Sequence, residues 1–264
     1  MITMDDQYRF EDFGFFCEPG NEDPATPDYE EKTLFIPGKV GEWDFGSEVK
    51  GRQFSYPLKI MDRYYTNMQR QLNNLVSFLL DPYGKPRLIK IESDYDPGKY
   101  CMAKINGPVV PQRVEEEWGI NLNFKANDPL KYSASENHEV HWDSTTVTFD
   151  DVYSINTVFV DDVLITSPQT VETTITGYAM SPTILVSGSG ENVTLSANGK
   201  TLVLGTFSNS VFVIRGKDST ILKGGKEEFI VGDFFDLLPG LNQITISGSS
   251  LNFNLSIRVR DQYI

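Results

Sequence analysis

Only one stretch of this chain repeats its apolar residues at helical spacing. Elsewhere they alternate, and that contrast restricts the chain to a mainly β fold carrying one helix. From Arg63 to Leu80, the residues Tyr64, Met68, Leu72, Leu75, Val76 and Leu79 recur three or four apart and make one face. Asn67, Gln69, Arg70, Gln71, Asn73 and Asn74 fall mostly on the other face. Asp62 stands where a capping residue belongs, and Asp81-Pro82 ends the helix because a residue before proline avoids the α region. Tyr83-Gly84-Lys85-Pro86 then makes a turn.

Around this helix the first half alternates with period two. Leu34-Phe35-Ile36 ends at Pro37-Gly38, and Gln53 to Ile60 carries Phe54, Tyr56, Leu58 and Ile60 on one side. Arg87 to Ile91, Tyr100 to Ile105 and Trp118 to Phe124 repeat the pattern. The expectation is a curled sheet with the helix packed against it. Glu18 to Glu31, with three prolines and many carboxylates, is expected to form an exposed loop or arm.

Past Asp128-Pro129 the helical period disappears, and short apolar runs recur between Gly, Ser, Asn and Asp. We therefore divide the chain into an N-terminal domain, 1–130, and a C-terminal β-sandwich domain, 131–264. Asn198-Gly199 is the sharpest turn signal, because a type I′ hairpin needs two residues tolerant of positive φ. A hairpin centred there pairs Leu195 with Leu202 and Val193 with Leu204, all on one side. Gly177 to Ser187 is expected to be a strand leading into Gly-Ser turns, and Gly224-Gly225 another hairpin turn. Leu251, Phe253, Leu255, Ile257 and Val259 alternate with polar residues as one long half-buried strand.

Charge excludes some partners. The formal net charge is -14, with 37 acidic against 23 basic residues and no basic cluster. A nucleic-acid or anionic-membrane surface needs the reverse balance, so neither is expected. No basic-then-apolar leader opens the chain, and no apolar run approaches the length that spans a bilayer. Cys17 and Cys101 are expected as free packing thiols in a reducing compartment. Without export, Asn192-Val193-Thr194 is not expected to carry a glycan.

The residues that could carry chemistry have simpler readings. His138 and His141, beside Glu136, Glu139 and Asp143, have a metal-like spacing, but they lie in a polar segment at the domain junction without helical pattern. The acidic clusters Glu115-Glu116-Glu117, Asp150-Asp151 and Asp161-Asp162 suit solvated turns better than the facing carboxyls of a glycosidase. No nucleophile elbow is present, and Gly188-Ser189-Gly190 lacks the Lys-Ser/Thr of a phosphate loop. No catalytic, cofactor-binding or metal-binding residue is assigned, no cofactor is expected, and the chain is not read as an enzyme. The aromatics Tyr153, Phe159, Tyr178 and Phe212 leave an alternative open: a carbohydrate-binding module of a phage or cell-surface enzyme.

Order and spacing together resemble one family, the distal tail (Dit) proteins of long-tailed, siphovirus-type bacteriophages. In the first half the resemblance rests on the helix followed by Asp81-Pro82-Tyr83-Gly84-Lys85 and Leu88-Ile89-Lys90-Ile91. It continues through Glu92 to Tyr100, Trp118 to Phe124, and Asn127-Asp128-Pro129-Leu130-Lys131-Tyr132. In the second half it rests on Gly177 to Ser187, the Asn198-Gly199 hairpin, and the run Phe235-Asp236-Leu237-Leu238-Pro239-Gly240-Leu241-Asn242.

The resemblance implies a structural protein of the phage tail tip, or baseplate, assembled in the host bacterial cytoplasm. The N-terminal domain would close into a homohexameric ring between the tail tube protein and the tail-tip hub protein. The C-terminal domain would be a galectin-like sandwich outside the ring, with receptor-binding proteins or other baseplate parts as its candidate neighbours. A galectin's His, Asn, Arg and Trp set is not found: before its end the second half offers two arginine candidates, Arg215 and Arg258, and it has one tryptophan, Trp142. Sugar binding is therefore not expected from the fold name alone.

Overall fold

The computed structural model describes residues 1–136, 139, 159–229 and 231–264. The chain divides into two compact units, Met1–Lys131 (joined by Ile264) and Tyr132–Tyr263. His138, His141, Trp142, Asp143, Asp150, Asp151 and Tyr153 lie outside the described residues.

The first unit is built from β1 (Ile2–Met4), a 3-10 turn (Phe10–Phe13), β2 (Phe16–Cys17), β3 (Tyr29–Phe35), β4 (Glu42–Val49), β5 (Arg52–Met61) and α1 (Tyr65–Leu79). After the helix come β6 (Ile89–Ser93), β7 (Lys99–Ile105), β8 (Gln112–Val114) and β9 (Glu117–Ala126). The main sheet runs β1-β6-β7-β9-β5-β2, with β8 alongside β9. In the β5–β9 ladder Phe54 faces Phe124, Tyr56 faces Leu122, Leu58 faces Ile120 and Ile60 faces Trp118, so two period-two patterns bury one common face. Met68, Leu72, Leu75 and Leu79 of α1 join that core.

The helix is shorter at its start than the apolar spacing predicts. Tyr64 is the capping position and is 61% exposed, so it does not belong to the buried face; Val76 is only half-buried. Asp62 acts from just outside: its carboxylate accepts from the Tyr64 N–H at 2.7 Å and from the Asn67 amide at 3.3 Å. At the other end Asp81 Oδ1 accepts from the N–H groups of Tyr83 and Lys85, both at 2.8 Å, which holds the Asp-Pro-Tyr-Gly-Lys turn.

The strand β10 (Lys131–Ser133) begins on the last residue of the first unit. The second unit contains β11 (Val160–Ile165), β12 (Gln169–Ile175), β13 (Thr183–Ala197), β14 (Lys200–Arg215), β15 (Thr220–Lys223) and β16 (Lys226–Glu227). It ends with β17 (Val231–Gly232), β18 (Gly240–Arg258) and β19 (Gln262–Tyr263). The sheet runs β11-β18-β13-β14-β15-β16, with β12 on β18 and β17 on β14. One end of β18 pairs with β11 and the other with β12, which gives a sandwich-like arrangement from strands long enough to serve both layers.

How one strand can do this is visible in its buried positions. In β18, Asn242, Ile244 and Ile246 are buried; after Gly248-Ser249-Ser250 the buried set becomes Leu251, Phe253, Leu255 and Ile257. β13 changes parity the same way, from Ile184 and Val186 to Val193, Leu195 and Ala197. An extra residue at a bulge flips which face points inward. The Gly-Ser stretch at 187–190 is therefore not a turn, as expected from its composition, but the middle of a strand. Gly188 adopts φ +147°, and a Cβ there would lie 2.4 Å from the Asn252 carbonyl oxygen. Only glycine fits so close to the neighbouring backbone.

The Asn198-Gly199 turn is present, with Leu195 opposite Leu202 as expected. Val193 instead faces Gly205, because the register shifts between Val193 and Thr194. Gly224-Gly225 joins β15 to β16, both glycines having positive φ.

Candidate assembly surface

The hairpin β3–β4 stands apart from the rest of its unit. Every residue of both strands is exposed, and among the described residues the two strands pair only with each other. Exposure there reaches 63% at Phe35, 51% at Trp43 and 67% at Phe45, with Val40 in the connecting loop at 99%. An isolated two-stranded ribbon is marginal in water, and large clustered apolar surface on a soluble protein marks a contact waiting for a partner.

Local chemistry explains how the ribbon holds its shape. Near its base one face carries Glu30, Lys32, Glu48 and Lys50; Lys32 pairs with Glu48, and Lys50 bridges Glu30 at 2.5 Å and Glu48 at 3.3 Å. Hydrogen bonds from Lys32 and then Lys50 hold the Glu48 carboxyl below its usual range, and the bond to Glu30 leads in raising Lys50. All of these groups are in solvent, so the pairs fix geometry more than they add stability. Beyond a register shift between Glu31 and Thr33, Leu34 lies opposite Trp43, and the Lys39 ammonium sits 3.4 Å from the Trp43 ring centre. Gly46, at φ +89°, donates to Asp44 Oδ1 at 2.7 Å where the strand bends.

This surface corrects one expectation and sharpens another. Leu34-Phe35-Ile36 was expected within the curled sheet, yet it lies on the free ribbon. Glu18 to Glu31, expected as an exposed loop or arm, is mostly exposed, and its loop part is tied at points: Glu18 N–H donates to Pro57 O, Glu22 pairs with Ser55, and Arg52 Nη1 donates to Pro24 O at 2.8 Å. The projecting element starts at Tyr29 and returns at Val49. Trp43, Phe45 and Val40 escaped the sequence reading, although Gly38 and Gly41 around the loop gave a turn signal.

The other sequence candidates disperse. Glu115, at φ 41°, occupies the β8–β9 turn in solvent, and Glu117 pairs with Lys59. Asp162 sits at a bulge in β11 and accepts from Asn254 at 2.7 Å. Among the described residues no group of His, Cys, Asp and Glu could hold a metal. Of the aromatics considered for sugar stacking, Phe212 is fully buried against Phe207, Phe159 is half-buried, and Tyr178 is exposed. Cys17 is half-buried and Cys101 buried; burial pushes the Cys101 thiol up to about 12. Among the described residues no helix is long and apolar enough to cross a membrane.

The Leu-x-Pro-Gly-x-Asn run has a definite structural task. Asn242 is 3% exposed; its Oδ1 accepts from Leu238 N–H at 2.8 Å, and its Nδ2 donates to the carbonyls of Leu238 at 2.7 Å and Gly240 at 3.0 Å. Asn198 Nδ2 also donates to Asn242 Oδ1 at 3.2 Å, so this turn and the Asn-Gly hairpin brace one another.

No protein-family model matches this chain, and no curated protein does. Among solved structures, SPP1 Dit (gp 19.1), described as a paradigm of the hub adsorption apparatus in phages infecting Gram-positive bacteria, aligns with a TM-score of 0.72. That alignment covers 100% of both chains at 16% identity. The phage P2 baseplate in its activated conformation with Ca aligns at TM-score 0.37 and 9% identity, over 91% of this chain and 89% of that one. The same baseplate with Sr gives 0.38 and 9%, over 97% and 94%. Over its full length, this chain has the fold of SPP1 Dit.

Proposed function

We propose that this chain, sharing a full-length fold with a phage hub protein, is a structural component of a bacteriophage tail tip. In this reading it forms a homohexameric ring joining the tail tube protein to the tail-tip hub protein. The C-terminal unit lies outward as a galectin-like module that anchors receptor-binding proteins. The chain is assembled in the host cytoplasm, ends in the virion, binds no nucleic acid and catalyses nothing. The observation that carries the proposal is the end-to-end fold likeness to SPP1 Dit.

The free ribbon supports it independently. A closed ring needs a head-to-tail contact in which one surface of each copy meets a different surface of the next. An apolar arm that leaves its own core unused is suited to that. The acidic balance is consistent with a lumen that does not hold DNA. Negative-stain electron microscopy of the purified chain tests the proposal. Six-fold rings with an open centre are the expected outcome; single particles at every concentration, also in the presence of tail tubes, would sink it.

A further inference from the structure

The chain contains two Asn-Gly dipeptides, Asn106-Gly107 and Asn198-Gly199. Such a pair carries a chemistry of its own. The glycine backbone nitrogen can attack the asparagine Cγ, because no Cβ on the glycine hinders the approach, and asparagine is accordingly among the heat-labile residues. In a folded protein the reaction runs only where the amide and the nitrogen are free to meet.

The two sites differ in that freedom. Asn198 lies in the β13–β14 turn at φ +50°, and its Nδ2 donates to Asp236 O at 2.7 Å and to Asn242 Oδ1 at 3.2 Å. Both bonds must break before the side chain can turn towards Gly199. Asn106 follows β7 and is exposed. Its own N–H donates to Asn123 O at 2.8 Å, which anchors the backbone. Among the described residues neither its side chain nor the Gly107 N–H makes a hydrogen bond. Space does not separate the sites, since a Cβ at Gly107 or at Gly199 would meet nothing within 4 Å.

Charge separates them further. Two residues before Asn106, Lys104 faces Lys125 across the β7–β9 ladder, and among the described residues neither forms an ion pair. Positive charge there favours both the anionic nitrogen that attacks and the carboxylate that results. At the other site Lys200 is paired with Asp236 at 3.7 Å and adds no such bias.

We propose that Asn106 is a spontaneous modification site of the folded chain, while Asn198 is held against the same reaction. Gly107 N bonds to Asn106 Cγ, and the proton of that nitrogen leaves with the side-chain amide nitrogen as ammonia, which closes a cyclic imide. Water then opens either imide carbonyl, giving aspartate or, with the chain rerouted through the side chain, isoaspartate. No oxidant or reductant takes part. Each event adds a negative charge at the end of β7. The Asn106 N–H lies before the altered linkage, so its bond to Asn123 survives; the same change at Asn198 would remove the donor that braces Asn242.

The test incubates the dilute full-length chain at mildly alkaline pH, in buffer and in urea. Products are mapped by peptide mass spectrometry with chromatography that resolves isoaspartate. In buffer Asn106 should convert to both acids while Asn198 lags by about tenfold, the factor expected when two hydrogen bonds must first break. In urea the lag should vanish. An Asn106 that stays intact in buffer, equal rates at the two sites in buffer, a lag that persists in urea, or aspartate without isoaspartate would each overturn the proposal. None of these readings depends on ring formation.

Discussion

Two hairpins in this chain use the same local code and end in opposite surroundings. In β13–β14, apolar residues alternate about the Asn198-Gly199 turn, and Leu195, Leu202, Phe207 and Phe212 are buried in the core of their own unit. In β3–β4 the apolar residues alternate less regularly about the Pro37–Gly41 loop, and all are exposed. Period two establishes that a segment is a strand with distinct faces; it does not establish which molecule covers those faces. The β13–β14 hairpin is stabilised by its own chain. The β3–β4 hairpin carries the apolar surface of a core without one, and on our reading a second protein completes it.

The largest expected contrast is between aromatic residues on the two ribbons. Phe212→Ala should destabilise the second unit by about 3–5 kcal/mol, since it empties a fully enclosed site. Phe45→Ala should leave the dilute monomer within about 0.5 kcal/mol of the parent. Urea unfolding measures both; similar losses for the two would erase the distinction drawn here.

Somewhat smaller is the effect of the brace that holds the buried hairpin. Asn242→Ala removes bonds to Leu238, Gly240 and Asn198 together and should cost about 2–3 kcal/mol. Asn198→Asp keeps the positive-φ preference but loses the amide donor, so it should cost less. If Asn242→Ala melts like the parent, the Leu-x-Pro-Gly-x-Asn run is not the structural anchor we describe.

Alkaline pH gives a milder perturbation that separates the two units. Burial raises the Cys101 thiol from 9.0 to about 12, and burial also raises the Tyr56 hydroxyl. A folded-state pKa above the unfolded one means that stability is complete below pH 9 and falls as pH approaches 12. By pH 10 the thiol alone should account for about 1 kcal/mol, all in the first unit, which holds both cysteines. Hydrogen exchange should therefore quicken in the β5–β9 ladder before it does in β13–β14. Simultaneous loss in both units would contradict this assignment.

Much of the fold was legible because its signals are local. The helix announced itself through Met68, Leu72, Leu75 and Leu79, the late strand through Leu251 to Val259, and the tightest turn through Asn198-Gly199. What stayed hidden depended on distant parts of the chain. Gly188 looks like a turn residue until β18 is seen to pass against its Cα, and the parity switches in β13 and β18 require knowing that one strand serves two layers. Tyr64 fits the helical period but falls one residue before the helix. The exposed ribbon was partly legible, since Leu34-Phe35-Ile36 reads as strand, but its solvation is decided by the absence of a packing partner among the described residues.

The central claim is that the β3–β4 ribbon is an intermolecular surface. Light scattering on the wild-type chain and on a Trp43→Ser/Phe45→Ser double variant, over a range of concentration and salt, tests it most directly. We predict a closed multimer for the wild type and a folded monomer with unchanged thermal stability for the variant. A variant that assembles as the wild type does, or a wild type that stays monomeric at every concentration, would contradict it.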